Sequence, residues 1–155
     1  MNAHKVVEVK DEFSIQIASA DSYRIADDEA TFVVSLSQPK NTEIRICKYP
    51  LTSTGEPDGD VKGHLEKDMI AFCESVGRSV HSKSTFNIVT NPSEKVKGYV
   101  SQAVILWSDA HLEYCCVARG CATQGKDDFY LLHWNGMKND AQNVIEIFES
   151  FTPYF

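Results

Sequence analysis

The sequence predicts an α+β fold, a central antiparallel sheet with two main helices packed on it. Three observations lead there. Apolar residues alternate with polar ones over residues 7–47 and again over much of residues 86–134. The period changes to helical spacing in two places, near residues 61–77 and 140–151. Successive alternating runs are joined by short turn signals, which suit antiparallel neighbours. The chain has 155 residues, of which 43% are apolar and 24% charged, so it is expected to form one domain, 1–155, of ordinary globular composition.

The elements follow in order. Val7 and Val9 alternate with charges, and Phe13, Ile15 and Ile17 alternate with Ser14 and Gln16. Asp21-Ser22 marks a turn before the run of Phe32, Val34 and Leu36. After a turn at 39–42, Ile44 and Ile46 take one face while Arg45 and Cys47 take the other. Residues 50–60, with Ser53, Thr54, Gly55, Pro57 and Gly59, read as a loop. Asp60 can cap the helix that follows, in which Val61, Leu65, Met69, Phe72, Cys73, Val76 and Val80 recur at helical spacing and Gly77 lies near the end. Phe86 and Ile88 reopen the alternation, and Asn91-Pro92 ends that run.

In residues 96–107, Tyr99, Ala103, Ile105 and Trp107 share a face, and Trp107 is expected in the core. A turn at Asp109-Ala110-His111 leads to a returning strand, 112–118. Residues 119–128 read as a connection, with Cys121 in a turn. The apolar strand 129–134 is closed by the turn signal Asn135-Gly136. Asn139 or Asp140 caps the last helix, whose stripe is Ala141, Val144, Ile145, Phe148 and Phe151, and Pro153 stops it.

The formal net charge is −7, distributed as −4 over residues 1–30, +1 over 31–100 and −4 over 101–155. No segment is strongly basic, so nucleic acid and anionic membranes are poor partners, whereas a basic protein surface suits the field. No apolar run approaches the length of a membrane span. The first ten residues lack the apolar stretch of a secretory signal, so a cytoplasmic location is expected. The five cysteines, Cys47, Cys73, Cys115, Cys116 and Cys121, are odd in number and lack framework spacing, which fits free thiols in a reducing compartment.

Nucleophile-elbow, zincin and phosphate-loop motifs are missing, and His4, His64, His81, His111 and His133 are scattered. Neither catalysis nor a cofactor nor a metal is expected. Asp58-Gly59-Asp60 resembles a fragment of a calcium site without the twelve-residue loop that such a site needs. Two acidic clusters are the candidate partner-binding residues: Asp27, Asp28 and Glu29 at a turn, and Glu56, Asp58 and Asp60 in the loop before the first helix. For either cluster alone, helix capping and solubility are the simpler explanation. Tyr23, Tyr49, Trp107, Tyr154 and Phe155 are candidate aromatic anchors, of which Tyr49 is counted with the acidic residues.

Residues 144–151, Val-Ile-Glu-Ile-Phe-Glu-Ser-Phe, resemble the closing helix and Ser-Phe ending of the PsbP/Mog-type fold superfamily. Phe129-Tyr130-Leu131-Leu132 resembles the strand before that helix, and Phe13-Ser14-Ile15-Gln16-Ile17 resembles the first core strand. Where the superfamily often has Pro-x-x-Trp after that strand, this chain has Ala18-Ser19-Ala20-Asp21-Ser22-Tyr23. The superfamily includes PsbP-like photosystem subunits, the Ran-binding Mog protein, DcrB-like bacterial proteins, and type VI adaptor and immunity proteins. The resemblance implies a protein-binding role without catalysis. With the acidic charge and small size, the expectation is a bacterial immunity protein that neutralises a cognate toxin. The alternatives are a secretion-system adaptor or chaperone for an effector, a small enzyme using an unrecognised site, and a GTPase regulator of the Ran-binding type.

Overall fold

The computed structural model describes residues 3–28, 30–51, 60–80 and 82–154. Five strands come first: β1 His4–Val9, β2 Phe13–Ala18, β3 Ser22–Ile25, β4 Thr31–Leu36 and β5 Thr42–Pro50. Helix α1, Val61–Ser79, follows, and then β6 Ser84–Ser93, β7 Gly98–Asp109, β8 Leu112–Thr123 and β9 Asp128–Met137. A single 3-10 turn, Lys138–Asp140, leads into α2, Ala141–Glu149, and β10, Thr152–Pro153, closes the described chain.

The strands form two sheets. Seven run in the order β3-β4-β5-β9-β8-β7-β6, with every neighbouring pair antiparallel. The other three run in the order β1-β2-β10. This is the α+β architecture expected, with a second small sheet added to it. The centre of the large sheet is buried on both faces, while its edge strands β3 and β6 are largely exposed. On one face, Ile15, Ile17 and Phe13 of the small sheet and Val144 and Phe148 of α2 meet Val34, Ile44, Val117, Leu132 and Trp134. On the other, Val61, Leu65, Met69 and Cys73 of α1 meet Ala103, Ile105, Cys116, Ala118 and Leu131. The adjacent Cys115 and Cys116 fall into opposite cores, because successive strand residues point to opposite faces.

Several local expectations are corrected. Asn135-Gly136 is strand, paired with Cys116 and Cys115. The glycine is there because a methyl group at 136 would collide with the Trp134 indole. Residues 119–123 also continue β8, so Cys121 is a buried strand residue. The strand is buried on both faces, so it shows no alternation that a sequence reading could follow. β6 runs through Asn91-Pro92 to Ser93. It ends its sheet, and an edge strand tolerates proline. Pro153 does not merely stop the last helix but pairs with Phe13 in the small sheet. The helix itself ends at Glu149, and Phe151 is buried just beyond it. Trp107 is only partly buried and stacks on Tyr114 at a centroid distance of 6.1 Å.

Candidate functional site

Pairing of β4, β5 and β9 brings three chain segments to one end of the large sheet. Thr31 of β4 lies opposite Cys47 of β5, and Tyr49 and Pro50 lie opposite Phe129 and Asp128 of β9. The turn before β4 carries Asp27 and Asp28, and the turn before β9 carries Asp127. Leu51 donates its N–H to the Asp127 carbonyl at 2.9 Å, which ties the second turn to the end of β5. The acidic turn at 27–28 and Tyr49 are therefore neighbours, together with Asp127 and Asp128, which sequence reasoning did not single out. Their proximity depends on the pairing of strands far apart in sequence. A run of two aspartates after a glycine and a lysine was the only signal in the chain itself.

The two aspartates of the first turn have different work. Asp28 accepts the backbone N–H groups of Ala30 and Thr31 at 3.0 and 3.1 Å, and the Thr31 hydroxyl at 3.1 Å. Those bonds, led by Ala30, hold its carboxyl below the usual range. Asp28 thus builds the turn as an Asx motif. Asp27 is exposed. Tyr49 is 43% exposed, and its ring lies 6.1 Å from that of Phe129. A hydrogen bond with the Cys47 thiol, helped by partial burial, pushes the Tyr49 hydroxyl up to about 12. It is therefore a neutral phenol at physiological pH. Asp60 caps α1, accepting the Gly63 N–H at 3.0 Å. Glu29, Glu56 and Asp58 lie outside the described residues.

Beside this end, Lys48 bridges Glu12 at 3.2 Å and Asp128 at 3.8 Å. Its ammonium lies 5.4 Å from the Tyr130 ring centroid, and the Tyr130 hydroxyl donates to Glu12. That donation, chiefly, lowers the Glu12 carboxyl, while burial raises the Tyr130 hydroxyl. The group ties the small sheet to the large one.

The cysteine thiols are sequestered, whereas His4 and His111 are exposed. All five cysteines are free and buried. Burial pushes Cys73, Cys115 and Cys121 up to about 11 and Cys116 to about 12, so their thiols stay protonated. His133 is driven below its ordinary value, first by burial and then by Arg45, and its ring sits 5.3 Å from Phe72. Among the described residues, no three His, Cys, Asp or Glu side chains converge as metal ligands. A groove of about 830 Å³ lies between Ala18–Asp21, Ser37 and α2. The buried Asp21 beside it is consumed by structure, accepting from the Ser37 N–H at 2.7 Å, the Ser37 hydroxyl at 2.8 Å and the Ala18 N–H at 2.9 Å. Among the described residues, no helix is long and apolar enough to cross a membrane.

Neither a protein-family model nor a curated protein matches the sequence. The fold is similar to that of cyanobacterial PsbP (CyanoP) from Synechocystis sp. PCC 6803, with a TM-score of 0.63 at 10% identity over 99% of this chain and 94% of that one. The likeness bears out the PsbP-like fold expected from the first core strand and the closing helix. At this identity it is a likeness of fold.

Proposed function

We propose that the chain is a non-catalytic protein-binding module, and specifically a bacterial immunity protein that neutralises a toxin through a basic surface on that toxin. The observation that carries this reading is the acidic end of the large sheet. There a half-exposed, uncharged Tyr49 stands among strand ends that bear Asp27, Asp28, Asp127 and Asp128. A large aromatic within a charged rim is the composition that supplies a binding anchor together with steering. The rim acids sit on turns of a rigid sheet, where contact residues are held in place at little entropic cost. The sequestered thiols support a non-catalytic reading, and the five free cysteines support residence in a reducing cytoplasm.

The test is affinity capture of the chain from the cells that express it, followed by association kinetics with the captured protein. A triple variant, Asp27→Asn, Asp127→Asn and Asp128→Asn, leaves the turn-building Asp28 in place. It should slow association by about ten-fold at low salt and flatten the salt dependence, with dissociation little changed. Tyr49→Ala should instead act on dissociation. Unchanged kinetics in both variants would move the interface elsewhere. Capture of no protein with a basic surface would end the reading.

A further inference from the structure

The large sheet ends in two very different edges. β3 is four residues long, and its Arg24 is ion-paired with Glu43 at 3.4 Å. A short strand with a charge is an ordinary protected edge. β6 is ten residues long and contains no charged residue. Among the described residues, nothing pairs with its outer side. β1, an edge of the small sheet, carries Lys5 and Glu8 in its six residues. Up to Pro92, β6 is therefore the long edge that lacks charged protection.

The side chains of β6 are also suited to contact. Phe86 is 42% exposed and Val89 51% exposed. Phe86 lies opposite Ile105 of the α1 core, while Val89 lies opposite Gln102 on the other face. The edge thus offers one apolar contact on each side of a strand laid along it. Pro92 has no N–H and closes the usable ladder at its far end.

The charge around the edge names the occupant. Residues 78–97 contain four bases, Arg78, Lys83, Lys95 and Lys97, and a single acid, Glu94. This is a local excess of +3 in a chain of −7. Lys83 precedes the strand, and Lys95 and Lys97 follow it, all three exposed, with the Lys95 ammonium also donating to the Glu149 carbonyl at 2.7 Å. A second copy laid antiparallel on β6 would bring lysines to lysines at both ends. We infer that the outer edge of β6 accepts an extended segment of a partner protein, apolar at its centre and acidic at its ends, as an eighth strand of the sheet. Backbone hydrogen bonds supply the affinity, Phe86 and Val89 select the central side chains, and the flanking lysines select the terminal carboxylates. This surface is separate from the acidic strand ends, so either can fail alone.

The test uses a displayed library of random peptides of about twelve residues, long enough to cover one strand. Selection on the wild-type chain should enrich peptides with alternating β-branched or aromatic residues and a terminal Asp or Glu. A synthetic version of the leading peptide, N-methylated at alternate positions, should bind about ten-fold or more weakly, because those amides can no longer donate. Val89→Lys, at an exposed position, should weaken binding by about five-fold or more, by placing charge on the edge. Lys83→Glu should disfavour the acid-ended peptide relative to a lysine-ended analogue, whereas the Asp27, Asp127 and Asp128 triple variant should bind as wild type does. The inference is overturned if no such pattern is enriched, or if N-methylation or Val89→Lys leaves binding intact. It is also overturned if the free chain is a dimer that Val89→Lys dissociates, since the edge would then belong to a second copy.

Discussion

On one face of the seven-stranded sheet, Phe13, Phe32, Trp134, Phe148 and Phe151 crowd into the core beneath the small sheet and α2. On the other face, Ala103, Cys116, Ala118 and Ala122 lie beneath a single helix. The ring contacts of the first face span elements: Phe13 lies 5.4 Å from Phe32, 5.6 Å from Tyr130 and 5.0 Å from Phe151. In the second, a methyl group at Gly120 would stand 2.8 Å from Met69 Sδ and 3.0 Å from Leu65 Cδ1. The difference shows how one sheet serves two kinds of cover. A layer made of several pieces leaves irregular space that large rings fill and lock, whereas one helix seats directly on small residues. Clustered aromatics therefore join pieces on one face, and on the other short side chains directly beneath α1 admit the helix, with Phe129 and Phe72 among the rings at its sides.

The comparison can be broken most sharply by deletion. Phe148→Ala should destabilise by about 3–5 kcal/mol and Leu65→Ala by about 2–5 kcal/mol, read from denaturant midpoints. An unchanged midpoint in either would show that face to be dispensable. Insertion separates the faces further: Gly120→Ala should cost about 1–3 kcal/mol, because the packed Met69 and Leu65 side chains must shift to admit one methyl group. A neutral Gly120→Ala would mean that Met69 and Leu65 have room to move aside. Asp60→Ala should cost about 0.5–2 kcal/mol through the lost cap, with partner association unchanged. Loss of association without loss of stability would return Asp60 to the binding surface.

The smallest effect concerns the tie between the sheets. Glu12 has a lowered carboxyl pKa in the folded chain, so its contribution is present above the ordinary value of 4.5 and fades as pH falls through the lowered one. The pair is substantially exposed, so the contribution is below about 1 kcal/mol. Glu12→Gln should reduce stability near neutral pH by that small amount and flatten the acid limb of the profile. A limb with the same slope in both proteins would refute the assignment.

Much of this architecture is written in local periodicity. The α1 stripe, the shared face of Tyr99, Ala103, Ile105 and Trp107, and the opposite orientations of Cys115 and Cys116 all follow from spacing. The misread positions share a cause, which is that a partner elsewhere overrides the local signal. Gly136 reads as a hairpin glycine until the Trp134 ring is placed against it. Arg119 and Gly120 read as the start of a connection until Gln102 is found to accept a hydrogen bond from Arg119 at 2.7 Å across the ladder. The candidate site divides in the same way. Asp27, Asp28 and Tyr49 are visible as residue types, but their company with Asp127 and Asp128 exists only through the β5–β9 pairing. The uncharged run of β6 was equally visible, but its position at a sheet edge was not.

The distribution of thiols gives the molecule a set of internal clocks. Cys115 and Cys121 belong to the aromatic core, Cys73 and Cys116 to the helix-covered one, and Cys47 to the strand ends beside Thr31. A small alkylating reagent can reach any of them only when its surroundings part, so each modification rate counts local openings. All five should react promptly in denaturant, and under native conditions the mass added at each site should accumulate at a rate characteristic of its layer. If α1 lifts as a unit, Cys73 and Cys116 will share one rate and Cys115 and Cys121 another. A single common rate would mean that the two cores come apart only together, as one cooperative event.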